Sequence, residues 1–235
     1  LWHYLVIWSG TKVFPAPVQV ERGIVELYHK NVLWPDIANS LRRVVIGFGA
    51  AVALGIPIGL ILGWYPEANQ VVNPVMQILR PISPIAWIPV GIIFFGVGDN
   101  AAIFLIFLGA FFPIVVACVD GVSNVSSVYR RAARNFGLSP RQVLAKVVFP
   151  AALPQIIVGL RLALGIAWLV VVAAEMVAVD SGLGYLVIDS RNSGKRYDLV
   201  VAAMLMIGVI GLILDFGFRR LERFKSIRWG FRYEF

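Results

Sequence analysis

Apolar runs of membrane length, separated by short polar stretches, set the pattern of this chain. Residues 44–64 carry no charge, and about 20 helical residues cross the ~30 Å hydrocarbon core of a bilayer. Residues 101–119, with Pro113 inside, and 156–179 read as further spans. A last span opens at 199–214 and extends to Phe218, with Asp215 near its end. Residues 71–97 are also apolar, but Arg80, Pro81, Pro84 and Pro89 interrupt them around Trp87. A helix broken there cannot satisfy its backbone internally. In a membrane this is tolerated only where protein or a water-filled cavity covers the freed groups. Asp99 and Asn100 read as a short external turn. Residues 180–198, with Gly182, Gly184 and Gly194, read as an external loop. Residues 1–9 are apolar and aromatic but too short to span, so they read as the end of a first transmembrane helix. Since residue 1 is Leu, its beginning is expected to be missing. A polar segment follows over 10–40, with an extended or turn stretch at 14–17 and an amphipathic helix at 18–29.

One basic, partly polar stretch, 127–154, lies between two spans and reads as two short helices. Tyr129, Ala132, Ala133 and Phe136 fall at i, i+3, i+4 and i+7, one apolar stripe. Arg130, Arg131 and Arg134 take mostly the other side. Gly137 suits the position after a helix end, where positive φ is needed. After Leu138, Ser139, Pro140 and Gln142 supply an N-cap, an N1 proline and a capping-box glutamine. The second helix is expected to bury Val143, Leu144, Val147 and Val148 and to stop before Pro150.

Gly47, Ala51, Gly55, Gly59 and Gly63 recur every fourth residue, a smooth face where another helix can approach closely. It serves either packing within the chain or a seam between two copies. Pro57 is expected to bend the same helix. In span 156–179, Arg161 and Glu175 stand about 21 Å apart along one helix, too far to pair. Arg161 snorkels or holds a carboxylate near the inner end. Glu175 is a functional candidate, or a structural partner of Arg42, Arg43 or Arg191.

Composition agrees with the pattern. Of 235 residues, 59% are hydrophobic and 14% charged, where soluble domains carry about a quarter charged. This is an all-α polytopic membrane protein of one domain. The net charge of +8 fits basic cytoplasmic loops: stretch 127–154 and the tail 219–235 fall on one side by span count, and the positive-inside rule makes that side cytoplasmic. Nucleic acid is not the expected partner, although a DNA-binding helix-turn-helix shares the glycine turn and surface arginines. On the other side, Arg22, Lys30, Arg42, Arg43, Arg191, Lys195 and Arg196 either form a positive vestibule that concentrates anions or are ordinary loop charges balanced by neighbours. Cys118 is the only cysteine and His3 and His29 the only histidines, so neither a disulfide nor a metal site is expected. No G-x-x-x-x-G-K-[ST] loop or hydrolase motif occurs. The chain is expected not to bind ATP or to be an enzyme, and any energy must come from a partner.

Stretch 127–154 resembles the loop of ABC-importer permeases, with pattern E-A-A, three residues, G, nine residues, I-x-L-P. Ala132, Ala133 and Gly137 match; Val147, Phe149 and Pro150 stand at the last positions, and Arg131 stands where the family has glutamate. LRPISPIAWIPVGIIFFGVG and GLRLALGIAWLVVVAAEM resemble the nitrate, sulfonate and taurine importers. The stretch GKRYDLVVAAMLMIGVIGLILDFGFRRLERF resembles the cyanobacterial-type nitrate and bicarbonate permeases. The resemblance implies a type I permease fold of about six transmembrane helices, the first incomplete, in a bacterial inner membrane. It implies a second permease copy, two cytoplasmic ATPase subunits that hold ATP and Mg, and a periplasmic substrate-binding protein. Residues 129–149 would couple the ATPase to the membrane helices, while Arg80, Pro84, Trp87, Pro89, Trp168 and Glu175 would border or gate the path. Nitrate or nitrite is the implied substrate, with bicarbonate or sulfonate and taurine as alternatives. A secondary anion transporter or channel is the alternative of another class, since broken helices build those too.

Overall fold

The computed structural model describes residues 15–192 and 194–222; residues 1–9 and most of the tail lie outside that range. Among the described residues all regular structure is helical: α1 (Pro17–His29), α2 (Leu33–Trp64), α3 (Pro66–Leu79), a 3-10 turn (Pro84–Trp87), α4 (Ile88–Phe95), α5 (Asp99–Ser123), α6 (Ser127–Asn135), α7 (Pro140–Val143), a π turn (Leu144–Val148), α8 (Phe149–Ala178), α9 (Leu183–Asn192) and α10 (Tyr197–Glu222). Four helical runs are long and apolar enough to cross a membrane, or five if the broken pair α3 and 84–95 is one span. The described residues form two compact units, one of residues 15–47, 85–106 and 168–214, the other of 48–84, 107–167 and 215–222.

Several boundaries differ from the hydropathy reading. The span expected at 44 begins at Leu33. Its first three turns bury Leu33, Asp36, Ile37, Ser40, Arg43 and Val44, a helical stripe hidden from hydropathy because half of it is polar. Asp99 and Asn100 are not a turn but open α5; the chain reverses at Gly96 and Gly98, with φ of 75° and 141°. The second short helix does not stop before Pro150. Residues 140–178 run on as one helical stretch through the π turn. The Phe149 N–H reaches back to the Leu144 carbonyl. This five-residue step places Pro150 in the first turn of the resumed α-helix, where its missing N–H and fixed φ do little harm.

In the first unit, Arg43 is 1% exposed and Glu175 has no exposed surface. Arg43 donates four hydrogen bonds, from Nε to Asp99 Oδ1, from Nη1 to Glu175 Oε1 at 2.7 Å and to the Ser181 carbonyl, and from Nη2 to Ser181 Oγ, and its Nη2 also forms an ion pair with Asp99 Oδ1. Arg42 pairs with Asp99 from the other side. Glu175 Oε2 accepts from Ser40 Oγ and the Gly184 N–H, Ser40 Oγ accepts from the Leu183 N–H, and Asp36 Oδ1 accepts from the Gly182 N–H. These acceptors cap the start of α9 from other parts of the unit. That is why residues 183–192 are a helix where glycine content suggested a loop. Gly182, at φ 101°, and Gly184 sit so close to Glu175 and the Val172 carbonyl that no Cβ fits.

The same unit ties α1 to the start of α10. Gly23 lies against Asp198 and Leu199, and Arg196 bridges Glu26 and Asp198 at 2.6 and 2.8 Å. Hydrogen bonds from Arg196 and then Lys30 hold the Glu26 carboxyl down at about 2. Of the seven cations expected on this side, Lys30, Arg42, Arg43 and Arg196 are paired with carboxylates.

The alternating small residues of α2 receive α5. In the first unit a Cβ on Gly47 would meet Ile103 and Ile106 at 2.8 Å. In the second, Gly55 faces Ile114, Gly59 faces Val115 and Cys118, and Gly63 faces Val119 and Val122; Ala51 is fully buried. The stripe thus packs within the chain. The second unit also packs Gly121 on Ala152 and Ile156, seats Gly159 on Ala117, and joins Asp215 to Arg161 at 3.7 Å and Arg219 at 2.8 Å.

Two predictions follow from this packing. A Cβ on Gly59 would stand 2.8 Å from the Val115 carbonyl, so Gly59→Leu is expected to cost roughly 1–3 kcal/mol or more and to lower the thermal midpoint in detergent, with Gly49→Leu, at an open position, as the tolerated control. Arg43→Met leaves a carboxylate buried without its cation, a loss of roughly 3–5 kcal/mol, whereas Arg43→Met with Glu175→Met is expected to recover much of it. Thermal unfolding of both variants measures the difference.

Candidate functional site

The short pair α6 and α7 is built by local rules. Ser126 caps α6, its Oγ accepting from the Val128 N–H. At the other end Gly137 takes φ 78°. The Gly137 N–H donates to the Arg134 carbonyl and the Leu138 N–H to the Ala133 carbonyl, the two bonds of a Schellman closure. Ser139 then opens α7: Ser139 Oγ accepts from the Gln142 N–H and Gln142 Oε1 accepts from the Ser139 N–H at 2.9 Å, with Pro140 in the first turn. Both exposed helix ends are satisfied without help from elsewhere, so the pair is pre-shaped.

Its apolar side is largely uncovered. Phe136 is 85% exposed, and Val128 and Tyr129 are more than half exposed. Ala132 is exposed too, and of the expected stripe only Ala133 is buried. In the following turns Val143 and Val148 are fully buried, Leu144 and Val147 half-buried. The arginines divide. Arg130 is not on the solvent side: its Nη2 reaches the carbonyls of Val122, Ser123 and Val125, capping the end of α5. Arg131 bonds Ser127 Oγ, and Arg134 is exposed. The pair is therefore a rigid knob with an apolar crown and an arginine root in the end of a long helix. Val128 was missed in the sequence because it falls outside the i, i+3, i+4, i+7 set.

The residues expected along a path are placed differently from one another. Arg80, exposed at the end of α3, lines a cavity of about 240 Å³ in the second unit with Pro113, Val116, Asp120, Gln155 and Leu162 among its walls. Pro84, Trp87 and Pro89 do not line it. Pro84 and Trp87 form the 3-10 turn, and Pro89 sits at the start of α4. Trp168 is 7% exposed, donates from Nε1 to the Ile207 carbonyl at 3.1 Å and lies on Gly211; it packs within the first unit. Glu175 is likewise an internal ion-pair partner, of Arg43. Asp120 and Gln155 escaped the sequence reading because single polar residues at the edge of an apolar run look like ordinary span ends.

The arrangement matches known proteins along most of its length. The family model for binding-protein-dependent transport system inner membrane components covers residues 55–227. An ABC transporter permease protein of Methanocaldococcus jannaschii is 45% identical over 94% of this chain and 85% of its own length. The taurine transport system permease protein of Escherichia coli is 37% identical over 89% of this chain and 78% of its own. The bicarbonate permease of Synechococcus elongatus and the nitrate import permease of Synechocystis are 35% and 34% identical, over 90% and 92% of this chain and 82% and 81% of theirs. Among solved structures, a chain of the inward-facing MetNI methionine ABC transporter superposes at a TM-score of 0.73, over 86% of this chain and 97% of that one, at 19% identity. That likeness concerns the fold alone, the type I importer-permease fold. A pre-shaped helix pair between membrane-length helices, joined to a family match over residues 55–227, leads to one conclusion: the chain belongs to the binding-protein-dependent transport system inner-membrane components, as a membrane-embedded ABC-importer permease subunit that is not itself catalytic.

Proposed function

We propose that this permease passes a small anion inward by alternating access, driven by two ATPase subunits that grip residues 127–148 on the cytoplasmic face. A second copy of the chain completes the path, and a periplasmic binding protein delivers the substrate. The observation that carries this reading is the uncovered apolar crown of Val128, Tyr129 and Phe136 on a knob whose own ends are fully capped. Such surface on a rigid element suits a partner's groove. The Arg130 contacts at the end of α5 offer the route by which knob motion reaches the membrane helices. Nitrate is the substrate that the likeness of the chain's last stretch favours. Relatives at 34–37% identity are permeases for taurine, bicarbonate and nitrate; all three molecules present anionic oxygens, so that class is what the reading rests on. The secondary-transporter alternative falls with the family membership.

The test uses the chain reconstituted in proteoliposomes with its ATPase and binding-protein partners. ATP-dependent uptake of labelled nitrate, bicarbonate or taurine is expected, and uptake of none of them overturns the reading. A Cβ on Gly137 meets open space, so Gly137→Val acts only through backbone strain, roughly 1–2 kcal/mol per left-handed residue. It is expected to lower transport per ATP hydrolysed several-fold, with Gly137→Asn, which tolerates that φ, close to the wild type. Phe136→Asp is expected to release the ATPase on gel filtration.

A further inference from the structure

The cavity of the second unit is walled mostly by Pro113, Val116, Val158, Leu162 and other apolar groups. Into it come one cation, Arg80, one anion, Asp120, and one amide, Gln155. All three are exposed, unlike the buried pair Arg43 and Glu175. Among the described residues neither the Arg80 nor the Asp120 side chain makes a hydrogen bond or ion pair, and Gln155 uses only Oε1, accepting from Asn124. Two opposite charges on an apolar-walled cavity, neither committed to a protein partner, stand open to a solute that enters it. Mostly apolar walls with a few converging polar groups are what a small-molecule site is made of.

The pair of charges also restricts the ligand. Arg80 donates only and suits anionic oxygens. Asp120 accepts only. A plain oxyanion such as nitrate would gain from Arg80 and be repelled by Asp120. An anion that brings its own donor satisfies both: taurine has a sulfonate at one end and an ammonium at the other, and bicarbonate carries one O–H. We propose that Arg80 and Asp120 form a substrate site that selects small anions bearing a hydrogen-bond donor over donor-free oxyanions. Arg80 takes the oxygens, Asp120 the donor, and the Gln155 Nε2 group a remaining oxygen. This proposal rests on the importer reading above and sharpens its substrate class away from nitrate.

The external binding protein imposes its own selectivity, so the experiment leaves it out. Taurine, bicarbonate and nitrate are titrated separately into the permease–ATPase complex in nanodiscs, followed by calorimetry. The better of taurine and bicarbonate is expected to bind at least about tenfold tighter than nitrate, which is about 1.4 kcal/mol. Asp120→Asn is expected to shrink that ratio toward one, and Arg80→Gln to weaken all three. Gel filtration of the assembled complex checks that each variant folds. Nitrate binding as tightly as both others overturns the proposal. So does an undiminished ratio in Asp120→Asn, or the absence of measurable binding for all three. If the wild type still shows ATP-dependent uptake in the proteoliposome assay, only this site assignment fails; loss of that uptake fails the importer reading itself.

Discussion

The constraint on which this structure depends is that a buried polar or charged group is costly to leave without partners. The Arg43–Glu175 centre meets it most completely. One guanidinium donates four hydrogen bonds, one carboxylate takes three, and Asp36 and Ser40 absorb N–H groups that open α9. A helix start beside a glycine-rich turn is thereby held without any cap of its own. Buried ion pairs add little net stability compared with apolar packing. This one fixes where the 180–184 turn must sit.

Glycine plays the complementary part. Where polar groups cannot be spared, close helix approach supplies the remaining contact. The fourfold-spaced glycines of α2 bring α5 so near that Cβ positions fall on its backbone and side chains. With lipid as apolar as leucine, close packing and internal hydrogen bonds are what hold membrane helices together. Two departures from regular helix stand out, the broken stretch 80–87 and the π turn at 144–148. Arg80, at the start of the first, lines the cavity; the second joins the exposed knob to α8.

On the proposed reading, knob and cavity divide the labour of an importer chemically. The knob carries apolar surface and no unpaired acid, suited to a protein groove. The cavity carries an unpaired acid and base, suited to a small solute.

Local chemistry made the short helices legible in advance. Ser139, Pro140 and Gln142 form the expected capping box, Gly137 takes the positive φ its position requires, and the period-four glycines line one helix face. The membrane-length apolar runs announced the long helices for the same reason: hydropathy is a property of composition, and needs no partner. What hydropathy could not locate were ends and pairings set by distant residues. The first turns of α2, the helix at 183–192 and the partner of Glu175 all depend on side chains some 130 to 150 positions away in sequence. Arg130 turned inward for a like reason, since the carbonyls it caps end a different helix. The sequence by itself determined that the chain spans a membrane and presents a capped helix pair. Only the tertiary structure decided which charges are paired and which stay available, because burial and distance, not residue type, set the cost of leaving a charge alone.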